Sequence, residues 1–308
     1  MKSSPESGVI VPPGDDAGVR LVDEEQALVE TVDVITPLVD TPYLFGRIAA
    51  ANSLSDIYAM GGRPFTALSI LGYPSCDYPV EVIKEIIEGA NHTLKEAGVS
   101  LLGGHCFEDT EIKFGLSVSG FINRDFILRV NTPREGNILV LTKPVGTGVL
   151  TTALKGERVG EDDLKEVITS MCMLNSRASE AALKAGATAC TDLTGFGLLG
   201  HASNMLSSGG LDLEIDSKRV PLFEGVMDFA ERGMIPEGAY KNRQFYSERV
   251  QFEDTVDETM RLVLFDPQTS GGLLIALNEE NLDLFKAELL QCWVIGRFKA
   301  GKGKIRVF

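Results

Sequence analysis

Cysteine and histidine are scarce in this chain, with five and three among 308 residues. Cys76, Cys106, Cys172, Cys190 and Cys292 form no CxxC pair and no framework spacing, and their odd number suits free thiols in a reducing compartment. A zinc finger and a disulfide scaffold are therefore excluded. No apolar run approaches the ~20 residues that cross a bilayer, and the opening MKSSPESGVIVPPGDDAG lacks the apolar core of a signal peptide. A cytoplasmic protein without membrane attachment is expected. Bases are outnumbered: 29 Lys and Arg against 44 Asp and Glu leave a net charge of -15, which repels nucleic acid and anionic lipid. There is no GxxxxGKS/T, so no Walker-type loop cradles phosphates, and there is no short-period repeat.

What is present is ordinary globular material. Hydrophobic residues make up 44% and charged residues 24%, and the length suits two domains. The composition and pattern predict an α+β protein, with domains over 1–140 and 141–308. Residues 28–35 read as a β-branched strand ending at Asp33 and Thr36-Pro37, and 43–60 as a helix closed by Gly61-Gly62. Residues 65–72 read as a strand, 80–97 as an amphipathic helix, 99–102 as a strand ending before Gly103-Gly104-His105, and 114–122 as a half-buried antiparallel strand. The second half begins with a strand at 137–142 and the loop Gly146-Thr147-Gly148. One long helix over 164–184 follows, then a strand at 187–191, a Gly-rich turn opening a helix at Leu198, and strands near 211–215, 262–265, 273–276 and 293–295.

Acidic residues at strand ends and in loops are the candidates for chemistry. Asp15 and Asp16 lie in the turn Gly14-Asp15-Asp16-Ala17-Gly18, Asp33 ends a strand, Asp56 shares a helix face with Asn52, and Asp192 precedes a Gly-rich loop. Carboxylates without His or Cys partners suit Mg²⁺ bridging to phosphates better than zinc, and a nucleotide is the expected ligand. Each position alone is equally readable as a solvated turn or an exposed helical acid. A competing pattern is Gly195-Phe196-Gly197-Leu198-Leu199-Gly200, a GxGxxG after a strand with Asp216 about 20 residues on, as in dinucleotide-binding folds. His105 could meet a phosphate, whereas His92 and His201 fit structural roles in helices. Cys106 has no identifiable acid–base partner.

Taken in order, GDDAGV at 14–19, TVDVITP at 31–37, NSLSDIYAMGG at 52–62, GGH at 103–105, FGLSVSG at 114–120, LTKPVGTGVLTT at 141–152, TDLTGFGLLGH at 191–201 and DPQTSGGLL at 266–274 resemble selenophosphate synthetase over nearly the whole chain. The GDDA and SDxxAMGG elements are shared with thiamine monophosphate kinase and aminoimidazole ribonucleotide synthetase; the last two motifs point to the selenium enzyme.

The resemblance implies a two-domain aminoimidazole ribonucleotide synthetase-like fold whose N-terminal domain forms a β-barrel across a homodimer, with ATP and Mg²⁺ at its interface. It makes Asp16, Asp56 and Asp192 metal ligands, Asp33 a metal or nucleotide contact, and Gly14-Asp15 part of the nucleotide loop. It has Gly104-His105-Cys106 contacting nucleotide from the partner subunit. The implied reaction takes ATP, selenide and water to selenophosphate, AMP and phosphate. The family's catalytic cysteine or selenocysteine and nearby lysine lie ahead of the first strand and match no residue here, so no catalytic residue is assigned. A gene start placed downstream of a selenocysteine codon is expected to account for this. A non-catalytic nucleotide-binding protein and a related ATP-dependent kinase or ligase are the alternatives.

Overall fold

The computed structural model describes residues 8–308, in two compact units that divide between Leu128 and Arg129. The first residues of the Ser- and Pro-rich opening, 1–7, lie outside the described residues. The division precedes the expected boundary at 140/141 because the strand expected at 137–142 forms as residues 138–141, fully buried inside the second unit's sheet.

The first unit holds β1 (Val9–Val11), β2 (Gly18–Leu21), β3 (Gln26–Ile35), α1 (Pro42–Ala59), β4 (Arg63–Tyr73), α2 (Val80–Ala97), β5 (Ser100–Glu108) and β6 (Lys113–Asn123). Its sheet runs β1-β2-β3-β6-β4-β5. Alternation decides which side is covered: Ala27 and Val29 of β3 and Phe114, Leu116 and Val118 of β6 turn inward, where α1 packs. Helix α1 is apolar nearly all round because it lies between this sheet and α2. The two helices touch backbone to backbone: a Cβ on Gly46 would stand 1.9 Å from the Ile86 carbonyl oxygen, and one on Gly89 1.9 Å from that of Tyr43.

The sheet's other face carries exposed Val32, Val34, Phe65, Leu68 and Phe121. Strand β5 does not stop before Gly103. It continues to Glu108 as an exposed edge strand parallel to β4, so His105 sits within a strand, opposite Ile70, and not at a strand end. The Gly-Gly pair reads as a terminator, yet it marks a slip in register beside Ala67 and Leu68, after which the longer β4 supplies a ladder to its end.

The second unit is built on β7 (Ile138–Leu141), β8 (Ala189–Asp192), β9 (Leu211–Ile215), β10 (Val250–Phe252), β11 (Leu273–Leu277), β12 (Trp293–Ala300) and β13 (Ile305–Val307), in the order β10-β13-β9-β12-β7-β11-β8. Its helices are α3 (Thr147–Lys155), α4 (Lys165–Cys172), α5 (Ser176–Lys184), α6 (Gly197–Met205), α7 (Val226–Glu231), α8 (Glu237–Tyr246), α9 (Glu258–Val263) and α10 (Leu282–Glu288). One buried core joins the sheet to α6, including Leu139, Leu141, Leu198, Leu199, Leu274 and Phe298.

Three expectations change here. The helix expected over 164–184 is two helices, α4 and α5, with a break at Met173–Asn175. The strand expected at 262–265 is the end of α9 and the turn after it; the Asp257 side chain caps that helix by accepting from the Thr259 and Met260 amides. The Gly146-Thr147-Gly148 loop is the start of α3. The GxGxxG segment does follow β8 and open α6, but β8 is an edge strand paired antiparallel to β11 alone, far from β9 in the sheet order. A dinucleotide-binding unit needs neighbouring parallel strands, so that reading falls.

Candidate functional site

In the first unit, helix and strand spacing match across one contact. Four helical residues advance ~6 Å and two strand residues ~6.6 Å, so two pairs can face each other when α1 lies along β3. That is the arrangement observed. Asn52 Nδ2 donates to Asp33 Oδ2 at 2.5 Å, and Thr31 Oγ1 donates to Asp56 Oδ2 at 2.5 Å. Ser53, one residue further along the helix, ties the same seam: its hydroxyl donates to the Asp33 carbonyl at 3.1 Å and accepts from the Leu116 amide at 3.1 Å. Burial raises the Asp33 carboxyl above its usual range, opposed by hydrogen bonds from the Val34 amide and Asn52.

Asp15 and Asp16 lie in the turn between β1 and β2. The Asp15 carboxylate accepts from the Asp16 amide at 3.1 Å, and the chain enters β2 at Gly18, opposite Glu30, next to Thr31 in β3. Gly14 takes a left-handed φ of 127° in this turn. Gly104, His105 and Cys106 stand on the exposed edge strand β5, where the His105 and Phe107 rings stack at 6.1 Å.

In the second unit, Asp192 is the last residue of β8 and is 1% exposed. The turn after it is closed by His201 of α6, whose Nε2 accepts from the Thr194 amide at 3.1 Å while Nδ1 lies 3.4 Å from Thr191 Oγ1. Burial pushes His201 down to about 4, which keeps the ring neutral and able to accept.

Three segments meet behind this turn, and sequence reading used them only as family marks. The Leu193 amide donates to the Gly272 carbonyl at 2.9 Å, and the Gly271 and Gln268 amides donate back to Leu193 and Thr194. Side chains join residues 142–149 to the same loop. Gln268 Oε1 accepts from the Gly146 and Thr147 amides at 2.9 and 3.1 Å, and Asp266 Oδ2 from those of Gly148 and Val149 at 3.0 and 3.3 Å. Asp266 Oδ1 is buried with no hydrogen-bond partner among the described residues, and burial pushes this carboxyl up to about 7. Lys143 is 5% exposed, and its ammonium donates to the carbonyls of Met173 at 2.7 Å and Ser270 at 3.0 Å. Burial brings it down to about 7, opposed by Asp192 and Cys172. Sequence alone does not single out Lys143, Asp266 and Gln268, because a Lys-Pro turn and a Gly-rich loop look alike in sequence whether exposed or packed together. The only signal was the clustering of Gly around polar residues.

The family of AIR synthase related proteins matches residues 14–122 with its N-terminal domain and 134–308 with its C-terminal domain. The selenide, water dikinase of Trichlorobacter lovleyi is 48% identical over 92% of this chain and 82% of its own length. This chain belongs to the selenide, water dikinase family. The selenide, water dikinases of Geobacter metallireducens, 49% identical over 88% of this chain and 79% of theirs, and Clostridioides difficile, 45% over 86% and 76%, agree. Among solved structures, the thiamine monophosphate kinase of Aquifex aeolicus has a TM-score of 0.70 at 19% identity, covering 95% of this chain and 90% of that one. Hydrogenase maturation protein HypE in complex with ATP has a TM-score of 0.68 at 16% identity, covering 94% and 83%. At those identities the likeness is one of fold. It is the two-domain aminoimidazole ribonucleotide synthetase-like α+β fold expected from the motifs.

Proposed function

We propose that this selenide, water dikinase family chain takes ATP, selenide and water to selenophosphate, AMP and phosphate. The family relationship carries the activity, and the paired anchoring of Asp33 and Asp56 supports the assignment of its site. Both carboxylates are held by neutral donors. Those donors set the orientation of each carboxylate, and an all-oxygen donor set of this kind fits Mg²⁺. Bound there, Mg²⁺ would neutralise triphosphate charge that an acidic chain would otherwise repel.

In this reading Asp16, Asp33, Asp56 and Asp192 are each carboxylate ligands for Mg²⁺. Gly14 and Asp15 form the turn that approaches phosphate through its backbone, with Asp33 and Asp56 also near the nucleotide. Gly104, His105 and Cys106, exposed on β5, contact nucleotide bound by a partner subunit. The bare outer face of the first sheet, with Val32, Val34, Phe65, Leu68 and Phe121, supports a homodimer formed through this unit. The ATP-bound HypE and the kinases of the same fold support a nucleotide ligand.

The test is selenide-dependent formation of AMP and phosphate from ATP with Mg²⁺. AMP formation that requires selenide is the expected result. ATP binding without selenide-dependent AMP would reject the activity and favour a nucleotide-binding role.

A further inference from the structure

A lysine inside a protein needs a reason, because its ammonium loses most of its hydration there and is seldom buried without a partner. Lys143 leaves β7 into the second unit's interior with carbonyl oxygens as its hydrogen-bond acceptors, at Met173 and Ser270. Both acceptors lie in unusual backbone. Met173 is at the break between α4 and α5, where one continuous helix was expected, and Ser270 holds a left-handed φ of 48° without being glycine. A second bond crosses the same gap: Asn175 Nδ2 donates to the Gly271 carbonyl at 2.9 Å. The helix break thus presents one acceptor and one donor to a cluster gathered around a single ammonium.

The cluster leads to Asp192 by a short path. Ser270 is followed by Gly271, whose amide donates to the Leu193 carbonyl at 3.1 Å, and by Gly272, whose carbonyl accepts the Leu193 amide at 2.9 Å. Leu273 then pairs with Asp192 itself across β11 and β8. The approach is close enough to demand glycine: a Cβ on Gly271 would fall 2.5 Å from the Leu193 oxygen, and one on Gly272 2.4 Å from the Lys143 amide nitrogen. With no side chains between them, a shift of the 270–272 backbone passes directly to residue 193.

We infer that Lys143 is a positioning residue for Asp192, its buried ammonium locking Ser270 to Met173 so that residues 270–273 hold the end of β8 in one place. The inference deepens the proposed function, and its catalytic consequence rests on Asp192 being a Mg²⁺ ligand. Lys143 contacts no substrate in this account. It acts through the loop, and an isosteric apolar residue would take the Lys143 donor away from the Met173 and Ser270 carbonyls.

The test is amide hydrogen exchange on the folded chain, read at Leu193, Gly271 and Gln268, together with Mn²⁺ affinity measured in the presence of ATP. Lys143→Met is expected to speed exchange at these three amides by about tenfold or more while Leu116, in the first unit, keeps its protection, and to weaken Mn²⁺ binding by about 10–100-fold, as loss of an outer-shell partner does. Lys143→Gln, neutral and one atom shorter, keeps a donor for one carbonyl and is the variant read if Lys143→Met does not fold. It is expected to lose part of the same protection. Wild-type exchange at Leu193 and Gly271 in the folded variant overturns the inference. Asp192→Asn separates the two levels: unchanged Mn²⁺ affinity there rejects Asp192 as a ligand, while faster exchange in Lys143→Met would still establish the positioning.

Discussion

Thr31 Oγ1 lies 2.5 Å from Asp56 Oδ2, joining a strand residue to a helix residue twenty-five positions later in the chain. One helical turn back, Asn52 makes the matching bond to Asp33. Each acid is therefore oriented by a neutral donor on the opposite element, and those donors can be removed without touching the acids.

Thr31→Val keeps the shape of the side chain and deletes the hydroxyl. Mn²⁺ affinity in the presence of ATP should fall by about 10–100-fold, the usual cost of losing an outer-shell partner, and Asp56→Asn should lose at least as much. Titration calorimetry checks both. Wild-type affinity in Asp56→Asn would remove Asp56 from the ligand set.

Asp266→Ala removes the shared acceptor of the Gly148 and Val149 amides and the Gln268 side chain. Leaving buried donors unpaired at the start of α3 should destabilise the second unit by about 2–4 kcal/mol. Urea unfolding followed by tryptophan fluorescence reads this directly, since the single tryptophan, Trp293, lies in β12 of the same unit.

His201 gives stability a pH dependence with a definite sign. Its folded pKa of about 4 lies below the ordinary histidine value of 6.5, so between those values the unfolded chain takes up the proton and the folded chain does not. This contribution is whole above pH 6.5 and is lost as pH falls toward 4. From pH 7 to pH 5 it should amount to on the order of 2 kcal/mol. His201→Gln, which retains an acceptor for the Thr194 amide, should show a correspondingly smaller loss when urea midpoints are compared at the two pH values. Equal losses in both proteins would mean that His201 is not buried and neutral.

Phe65 and Phe121 pack together at 5.6 Å on the exposed face of the first sheet. If two chains associate through that face, Phe65→Asp should shift the sedimentation coefficient from dimer to monomer while the far-ultraviolet circular dichroism stays unchanged. A chain that sediments as a monomer before substitution would reject the homodimer.

Sequence pattern by itself determined the family, the α+β class and most elements of the first unit. Those elements follow from local periodicity: α2 begins and ends where its apolar stripe and Gly98 predict, and β3 and β6 show their alternation. The acids were also legible, since Asp33, Asp56 and Asp192 stand at strand ends or on a small-residue helix. Tertiary structure alone decided what surrounds them. The bonds from Thr31 to Asp56 and Asn52 to Asp33 require a helix and a strand to run side by side, and no local window encodes that contact. The break between α4 and α5, the extension of β5 through His105, and the burial of Lys143 and Asp266 have the same origin. In each case a distant segment supplies hydrogen-bond partners that override what the nearby residues prefer.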